Sequence, residues 1–117
     1  MAITIEEREQ REHSILVVTG RITSTECHGD LKNAVRSLIE RGRKQIVVDL
    51  EAVPFVDSAG LGELVGSYVS VERLGGSLRL ANVNRRISGT LEAARLTHVL
   101  QLVEPISMVR TQPLSAR

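Results

Sequence analysis

The fold is decided by residues 46–62, which read IVVDLEAVPFVDSAGLG. The run from Ile46 to Leu50 is β-branched and nearly continuous, which predicts a strand that is covered on both faces. A proline then interrupts the strand pattern, and apolar side chains recur at helical spacing from Leu61 to Val71. The stretch therefore predicts a buried strand, a short loop and a helix, with Asp57 and Ser58 where the loop becomes the helix.

Strand and helix patterns alternate on either side of this stretch. Before the quoted stretch, the sequence predicts a short edge strand beginning near Ile3, a strand within His13–Ile22 and a helix. This helix has capping residues at Thr23–Thr25 and an apolar stripe over Leu31–Ile39. After the quoted strand and helix, the sequence predicts a strand at Ser77–Ala81, a helix around Ile87–Ala94 and a strand within Val99–Val103. The order β-β-α-β-α-β-α-β predicts a single α/β domain. Its sheet is expected to be mixed but largely parallel, with four to five strands and three to four helices.

The composition is that of one soluble globular domain and excludes several classes of function. The chain has a mass of 12.8 kDa. Of its 117 residues, 42% are hydrophobic and 25% are charged. Fifteen basic and 14 acidic residues give a net charge of +1, and there is one Tyr, one Phe and no Trp. Neither a basic nucleic-acid surface nor a base-stacking surface is expected from these numbers. No apolar run is long enough to insert directly into a membrane.

The N-terminal sequence has neither the basic nor the apolar region of a signal peptide, and Cys27 is the only cysteine. Both observations predict a reduced, cytoplasmic setting without an internal disulfide. Residues 1–104 are expected to form the domain. Residues 105–117 contain two prolines and little periodicity, so they are expected to form a loosely ordered C-terminal tail.

The turn between the central strand and its helix is the best candidate for a functional site, because α/β folds place functional groups at the carboxyl edge of the sheet. Ser58 is expected at or beside the N-cap, where its hydroxyl lies near unpaired backbone amides. A purely structural role for Asp57 and Ser58, as a cap and a partner of the helix dipole, is an equally good interpretation. Gly60 and Gly62 each cost the helix about 1 kcal/mol relative to alanine. They indicate either the close approach of another backbone or tight packing of the helix on the sheet.

Enzyme signatures are incomplete in this chain. A nucleophile elbow requires Gly-x-Ser-x-Gly, and Val56 occupies the position of its first glycine. His13, His28 and His98 are scattered, and no set of His, Cys or carboxylate residues has metal-ligand spacing. The P-loop sequence is absent, and the glycines after Ser58 are one residue off the dinucleotide-binding fingerprint. The sequence therefore predicts no enzyme activity, no cofactor and no metal site.

From about Ile15 to Val103 the chain resembles the STAS domain family, whose name covers sulfate transporters and anti-sigma factor antagonists. Four segments carry the resemblance, and the Asp-Ser-x-Gly-Leu-Gly part is fairly specific in this context. The segments are Thr19-Gly20-Arg21-Ile22 after the second strand, Ile46-Val47-Val48-Asp49-Leu50 in the central strand, the signature loop Phe55-Val56-Asp57-Ser58-Ala59-Gly60-Leu61-Gly62, and Leu74-Gly75-Gly76-Ser77-Leu78-Arg79-Leu80 leading into the next strand.

The resemblance implies a bacterial anti-sigma factor antagonist, which is a regulator and not an enzyme. In that family the serine after the signature aspartate is the phosphorylation site, and Ser58 occupies this position. The unphosphorylated form binds an anti-sigma factor that is also a serine kinase, and so releases the sigma factor. Phosphorylation ends this binding, and a serine phosphatase resets the switch.

The partner-binding surface expected from the resemblance surrounds the signature serine. Its residues are Asp57, Ser58 and Gly60, then Arg21, Thr23 and Ser24 in the neighbouring loop, and Glu63 and Ser67 on the exposed face of the second helix. One alternative is a STAS module that is not phosphorylated and acts as a signalling scaffold. Another is a cytoplasmic subunit of a lipid-transport ATPase.

Overall fold

The computed structural model describes residues 3–23, 29–95 and 101–103, in which five strands and three helices alternate. These elements are β1 (Thr4–Gln10), β2 (His13–Thr19), α1 (Asp30–Glu40), β3 (Gln45–Ala52), α2 (Ser58–Arg73), β4 (Ser77–Ala81), α3 (Arg85–Ala93) and β5 (Gln101–Val103). The predicted order of strands and helices is confirmed.

The five described strands form one sheet in the order β1-β2-β3-β4-β5. β1 runs antiparallel to β2, whereas each of the following pairs is parallel. Parallel neighbours require a crossover connection, and α1, α2 and α3 provide these connections in turn. The mixed, largely parallel sheet predicted from the sequence is therefore confirmed, with β1 at its edge.

The main core lies between the sheet and the three described helices. It combines Leu16, Val18, Ile46, Val48, Leu50, Leu78 and Leu80 of the strands with Leu31, Val35, Leu38, Leu64, Val71, Ile87 and Leu91 of the helices. A side chain of this kind contributes about 1.5–3 kcal/mol when it is fully buried. This layer positions the N-terminus of α2 at the carboxyl end of β3.

The opposite face of the sheet holds a smaller cluster of Ile15, Val47 and Ala81. Asp49 lies two residues after Val47 in β3, so its side chain is on the same face of the sheet. Asp49 is fully buried. Its Oδ1 accepts hydrogen bonds of 3.0 Å from the Asn82 side chain and from the backbone amide of Glu51. These bonds satisfy the buried carboxylate and join the ends of β3 and β4.

The start of α1 differs from the prediction. The helix was expected to follow capping residues at Thr23–Thr25, but it begins after Gly29, which has a left-handed φ of 82° and gives no side-chain cap. Instead, the backbone amide of Lys32 donates to the carboxylate of Glu63 in α2, at 3.1 Å. The cap therefore comes from another helix, which no local capping pattern can reveal.

The other helix boundaries follow local rules. Gly42 and Gly75, with φ of 80° and 78°, follow the ends of α1 and α2, where glycine is favoured because it readily adopts this left-handed conformation. α3 forms despite Gly89 in its interior. The Asn84 side chain caps it by accepting a 2.8 Å hydrogen bond from the amide of Ile87.

Among residues 3–23 and 29–95, no helix has both the length and the apolar character needed to cross a bilayer. The predicted domain limit at residue 104 and the predicted tail 105–117 lie outside the described residues, as do Cys27, His28 and His98.

Candidate functional site

The candidate site consists of the loop that joins β3 to α2, residues 53–57, and the first turn of α2. The segment after β2 lies against this loop through a parallel bridge between Ile22 and Val56. The amide of Ile22 donates to the carbonyl of Phe55 at 3.1 Å, and the amide of Asp57 donates to the carbonyl of Ile22 at 3.3 Å. Backbone hydrogen bonds thus fix the loop on one side.

Asn84 holds the same loop on the side of α3. Its Nδ2 donates to the carbonyl oxygen of Val53 at 3.1 Å, while its Oδ1 caps α3. One side chain therefore sets the start of α3 and fixes it to the loop that leads to α2.

Asp57 is the N-cap of α2. Its backbone is extended, with φ of −91° and ψ of −177°, and its Oδ1 accepts a 2.7 Å hydrogen bond from the amide of Gly60. Ser58 is the first residue of the helix and is exposed, so it lies beside the N-cap as predicted. The capping role belongs to Asp57, and the side chain of Ser58 lies at the surface.

Gly60 and Gly62 have different surroundings. A Cβ atom on Gly60 would lie 1.8 Å from the carbonyl oxygen of Ile22, so Gly60 lets α2 pack directly against the segment after β2. A Cβ atom on Gly62 would meet nothing within 4 Å, and Gly62 is exposed. Close packing therefore explains Gly60, whereas the surface above Gly62 is open to another molecule.

The family of the chain follows from its whole length and not from this loop alone. Residues 4–109 match the family model of the STAS domain. The chain belongs to the STAS domain family. The match includes each described strand and helix as well as the loop before Ser58, which confirms the resemblance found in the sequence.

This STAS domain is similar to proteins named as anti-sigma factor antagonists. The anti-sigma-B factor antagonist of Bacillus subtilis (strain 168) is 31% identical over 72 residues, which are 62% of this chain and 65% of that protein. The chain thus spans slightly less than two thirds of that relative. A crystal structure of an anti-sigma factor antagonist from Mycobacterium paratuberculosis has a TM-score of 0.81 at 20% identity, covering 94% of this chain and 92% of that one. The phosphorylated form of the Bacillus cell fate determinant SpoIIAA has a TM-score of 0.68 at 18% identity, covering 93% and 97%.

The loop after β2 brings two predicted binding residues of the STAS domain next to the site. Arg21 and Thr23 flank Ile22, whose carbonyl group contacts Asp57 and Gly60. Arg21 is exposed, whereas Thr23 is 9% exposed. Arg21 therefore lies at the protein surface in the segment that packs against the loop, whereas the side chain of Thr23 is largely buried. Ser24, which was also predicted, lies outside the described residues.

Two predicted binding residues of α2 require correction. Ser67 was expected on the exposed face, but it is 1% exposed and lies between α2 and α1. It follows Leu64 and precedes Val71 at helical spacing, so the small serine shares their buried face. Glu63 is partly buried, and its carboxylate caps α1 at Lys32. Gly60 is also buried, so it shapes the site without presenting a surface.

Local patterns do not identify three residues that build the site, namely Ile22, Asn84 and Arg86. The guanidinium carbon of Arg86 lies 4.7 Å from the centre of the Phe55 ring, which is a cation–π contact between α3 and the loop. Asn84 is recognisable as a capping residue, but its bond to Val53 depends on β3 and β4 being neighbours. These contacts could therefore be predicted only from the order of the strands in the sheet, and not from a local sequence motif.

The site offers an exposed hydroxyl at a helix N-terminus. His13 begins β2 and therefore lies at the opposite edge of the parallel strands from Ser58. Across the described residues no group of three or more His, Cys, Asp or Glu could hold a metal ion. The first amides of a helix have no intrahelical partners, and they favour an anion. The arrangement thus favours an anionic group at the position of the Ser58 hydroxyl.

Proposed function

We propose that this protein is an anti-sigma factor antagonist that binds an anti-sigma factor serine kinase while Ser58 is unphosphorylated and releases it when Ser58 is phosphorylated. The observation that carries the proposal is the exposed Ser58 at the first position of α2, beside the Asp57 cap. The names of its relatives support the role of antagonist, and a protein of the same fold occurs in a phosphorylated form. In this role the protein is a substrate and a regulator, and a serine phosphatase restores the binding form.

The fold can accept a phosphate at Ser58. A phosphate adds about −1.5 to −2 charges and three strong acceptor oxygens, and the N-terminal end of the helix dipole favours negative charge. The hydrogen bonds that hold the loop involve Asp57, Ile22 and Asn84. Phosphorylation at Ser58 leaves these bonds in place, so its effect falls on the surface.

Electrostatic repulsion is sufficient to release a partner. A partner carboxylate about 4 Å from the phosphate would be repelled by roughly 4 kcal/mol at an effective dielectric constant of about 20. This free energy corresponds to nearly a thousandfold in affinity. The open surface above Gly62 allows a partner to approach this closely before phosphorylation.

The first test is the intact mass of the protein purified from its native cell, with peptide mapping from Asp57 to Arg73. We expect one phosphate, located on Ser58. Ser58→Ala should abolish the addition of this phosphate by the native anti-sigma kinase. Ser70→Ala, which replaces another exposed serine of the same helix, should leave it unchanged.

Binding provides the second half of the test. Titration calorimetry with the kinase should show that phosphorylated protein binds at least a hundredfold more weakly than unphosphorylated protein. Absence of phosphate both in cells and after incubation with the native anti-sigma kinases would contradict the proposal. It would favour a STAS module that is not phosphorylated, and co-purification with a transport ATPase would then identify the subunit role.

A further inference from the structure

The face of the sheet that points away from the helices carries buried apolar residues. Ile15, Val47 and Ala81 occupy this face, because they alternate along β2, β3 and β4 with residues of the main core. Their exposed fractions are 1%, 1% and 0%. The described helices, α1, α2 and α3, all contribute to the main core on the other face. No described element therefore covers the second face, as we call the surface around Ile15, Val47 and Ala81.

The burial of the second face cannot be explained by the strands alone. Side chains stand roughly perpendicular to a sheet, so the neighbours of Val47 in β2 and β4, which are Ile15 and Arg79, flank it without covering its end. Asp49 lies on the same face and is 0% exposed, whereas a carboxylate on an uncovered face would be hydrated. Sheets built from parallel strands are almost always covered on both sides. A second layer of protein therefore lies over this face.

The short connections outside the described residues are not long enough to provide this layer. Residues 24–28 join the segment after β2 to α1, and residues 96–100 join α3 to β5. Five residues extend over at most about 18 Å, which does not allow either connection to leave its helix, cross to Ile15 or Val47 and return. Residues 1–2 extend over about 7 Å at most and precede β1 at the edge of the sheet. The layer therefore comes from the residues after β5 or from another molecule.

Residues 104–117 have the starting point, the length and the composition for this role. Val103 pairs with Ala81 of the second face, so the segment begins beside that face. The distance from β5 to β2 is three strand spacings, or about 14 Å. The 14 residues of the segment extend over about 21 Å even when they are wound into a helix, so they can reach Ile15. Residues 105–109 carry no charge, and the match to the STAS domain extends to residue 109.

We propose that residues 104–117 fold back over the second face, with the apolar side chains of Ile106, Met108 and Val109 packed against Ile15 and Val47. The second face is then occupied within the chain and is not a docking surface for other proteins. The segment becomes part of the domain, in place of the loosely ordered tail predicted from the sequence. The proposal is independent of the proposed function, because it involves neither Ser58 nor a kinase.

The test places a nitroxide on the segment and records the methyl signals of the full-length protein. Thr111→Cys is labelled in a Cys27→Ser background, since Cys27 is the only cysteine. A nitroxide broadens the signals of nearby groups most strongly. We expect the methyl signals of Ile15, Val47 and Ala81 to lose most of their intensity, while those of buried residues in α1 and α2 keep theirs.

Arg36→Cys is the matched control, because this exposed residue belongs to α1 on the other side of the sheet. A nitroxide there should broaden the methyl signals of α1 and α2 and spare the second face. Replacement of Ile106, Met108 and Val109 together by serine removes the proposed contacts. The second-face signals of the labelled Thr111→Cys protein should then recover.

A mixed sample decides whether the segment acts within its own chain. Isotope-labelled protein without a nitroxide is combined with unlabelled protein that carries one at position 111, and we expect no broadening of the second face. Broadening in this sample would show that a second copy covers the face and would overturn the proposal. Equal intensity loss on both sides of the sheet, or no loss on either side, in the singly labelled protein would also overturn it. These results do not bear on the Ser58 switch, because no kinase is present.

Discussion

Gly60 is a position at which the packing of α2 leaves no room for a side chain. The methyl group of Gly60→Ala would lie 1.8 Å from the carbonyl oxygen of Ile22, so α2 and the segment after β2 would have to separate. We expect the free energy of unfolding to fall by about 1–3 kcal/mol or more. Urea unfolding measures this change.

Gly62→Ala is the matched control, because the new methyl group would meet nothing within 4 Å. Its free energy of unfolding should rise by about 0.5–1 kcal/mol, since alanine favours the helix more than glycine does. Equal stabilities for the two variants would show that the contact with Ile22 does not constrain this turn.

Ser67 provides a second test at a single residue. Ser67→Ala removes a buried hydroxyl that has no partner among the described residues, so the free energy of unfolding should rise by about 1 kcal/mol. Ser70→Ala controls for helix propensity, because the Ser70 hydroxyl is exposed and donates to the carbonyl of Gly66 at 3.0 Å. Thermal unfolding should show the larger gain for Ser67→Ala, and a loss would contradict the unsatisfied hydroxyl.

At the scale of elements, α1 depends on α2 for its N-terminal cap. Glu63→Ala removes the carboxylate that accepts the Lys32 amide and should lower the free energy of unfolding by about 1 kcal/mol. Amide hydrogen exchange in the first turn of α1 should become faster. Because part of the effect is electrostatic, added salt should reduce it.

Glu72→Gln is the control for Glu63, since it changes an exposed acid on the same helix. Its free energy of unfolding should stay within about 0.5 kcal/mol of the wild type. A similar loss in both variants would show that the cap is not specific to Glu63.

The same cap shows where prediction from the sequence ends. Element order and the place of Ser58 beside the N-cap could be predicted, because alternation, helical spacing and capping residues are local signals. The first residue of α1 could not be predicted in this way, because the side chain that caps this helix belongs to α2. The burial of Ser67 could have been predicted, because its spacing from Leu64 and Val71 places it on the buried face of α2. The polarity of serine favoured an exposed position instead, and this interpretation was wrong.

At the scale of the molecule, phosphorylation of Ser58 is expected to change the surface and to keep the fold. In a ¹⁵N spectrum, amide shifts should be confined to residues 20–23 and 53–62, because the phosphate lies at the exposed end of α2. The free energy of unfolding should rise slightly, by about 0.3–1 kcal/mol. Shifts that spread along β1 would indicate a rearrangement of the sheet and contradict this expectation.

Arg73→Gln gives the opposite sign and serves as the control. It removes a positive charge from the last turn of α2, where the helix dipole favours it. Its free energy of unfolding should therefore fall by a few tenths of a kcal/mol, as measured by urea unfolding beside Ser58→Glu. The same sign for both variants would show that the dipole does not govern the response.

The hydrogen bonds from Ile22 and Asn84 hold the loop before Ser58 in one arrangement. A surface that is already ordered loses little conformational entropy when a protein docks on it. No slow rearrangement has to precede the encounter, so the association rate is governed by diffusion, orientation and charge. In the proposed switch, the rate at which partners exchange at this surface is therefore set by the enzymes that add and remove the phosphate, and not by a rearrangement of the domain.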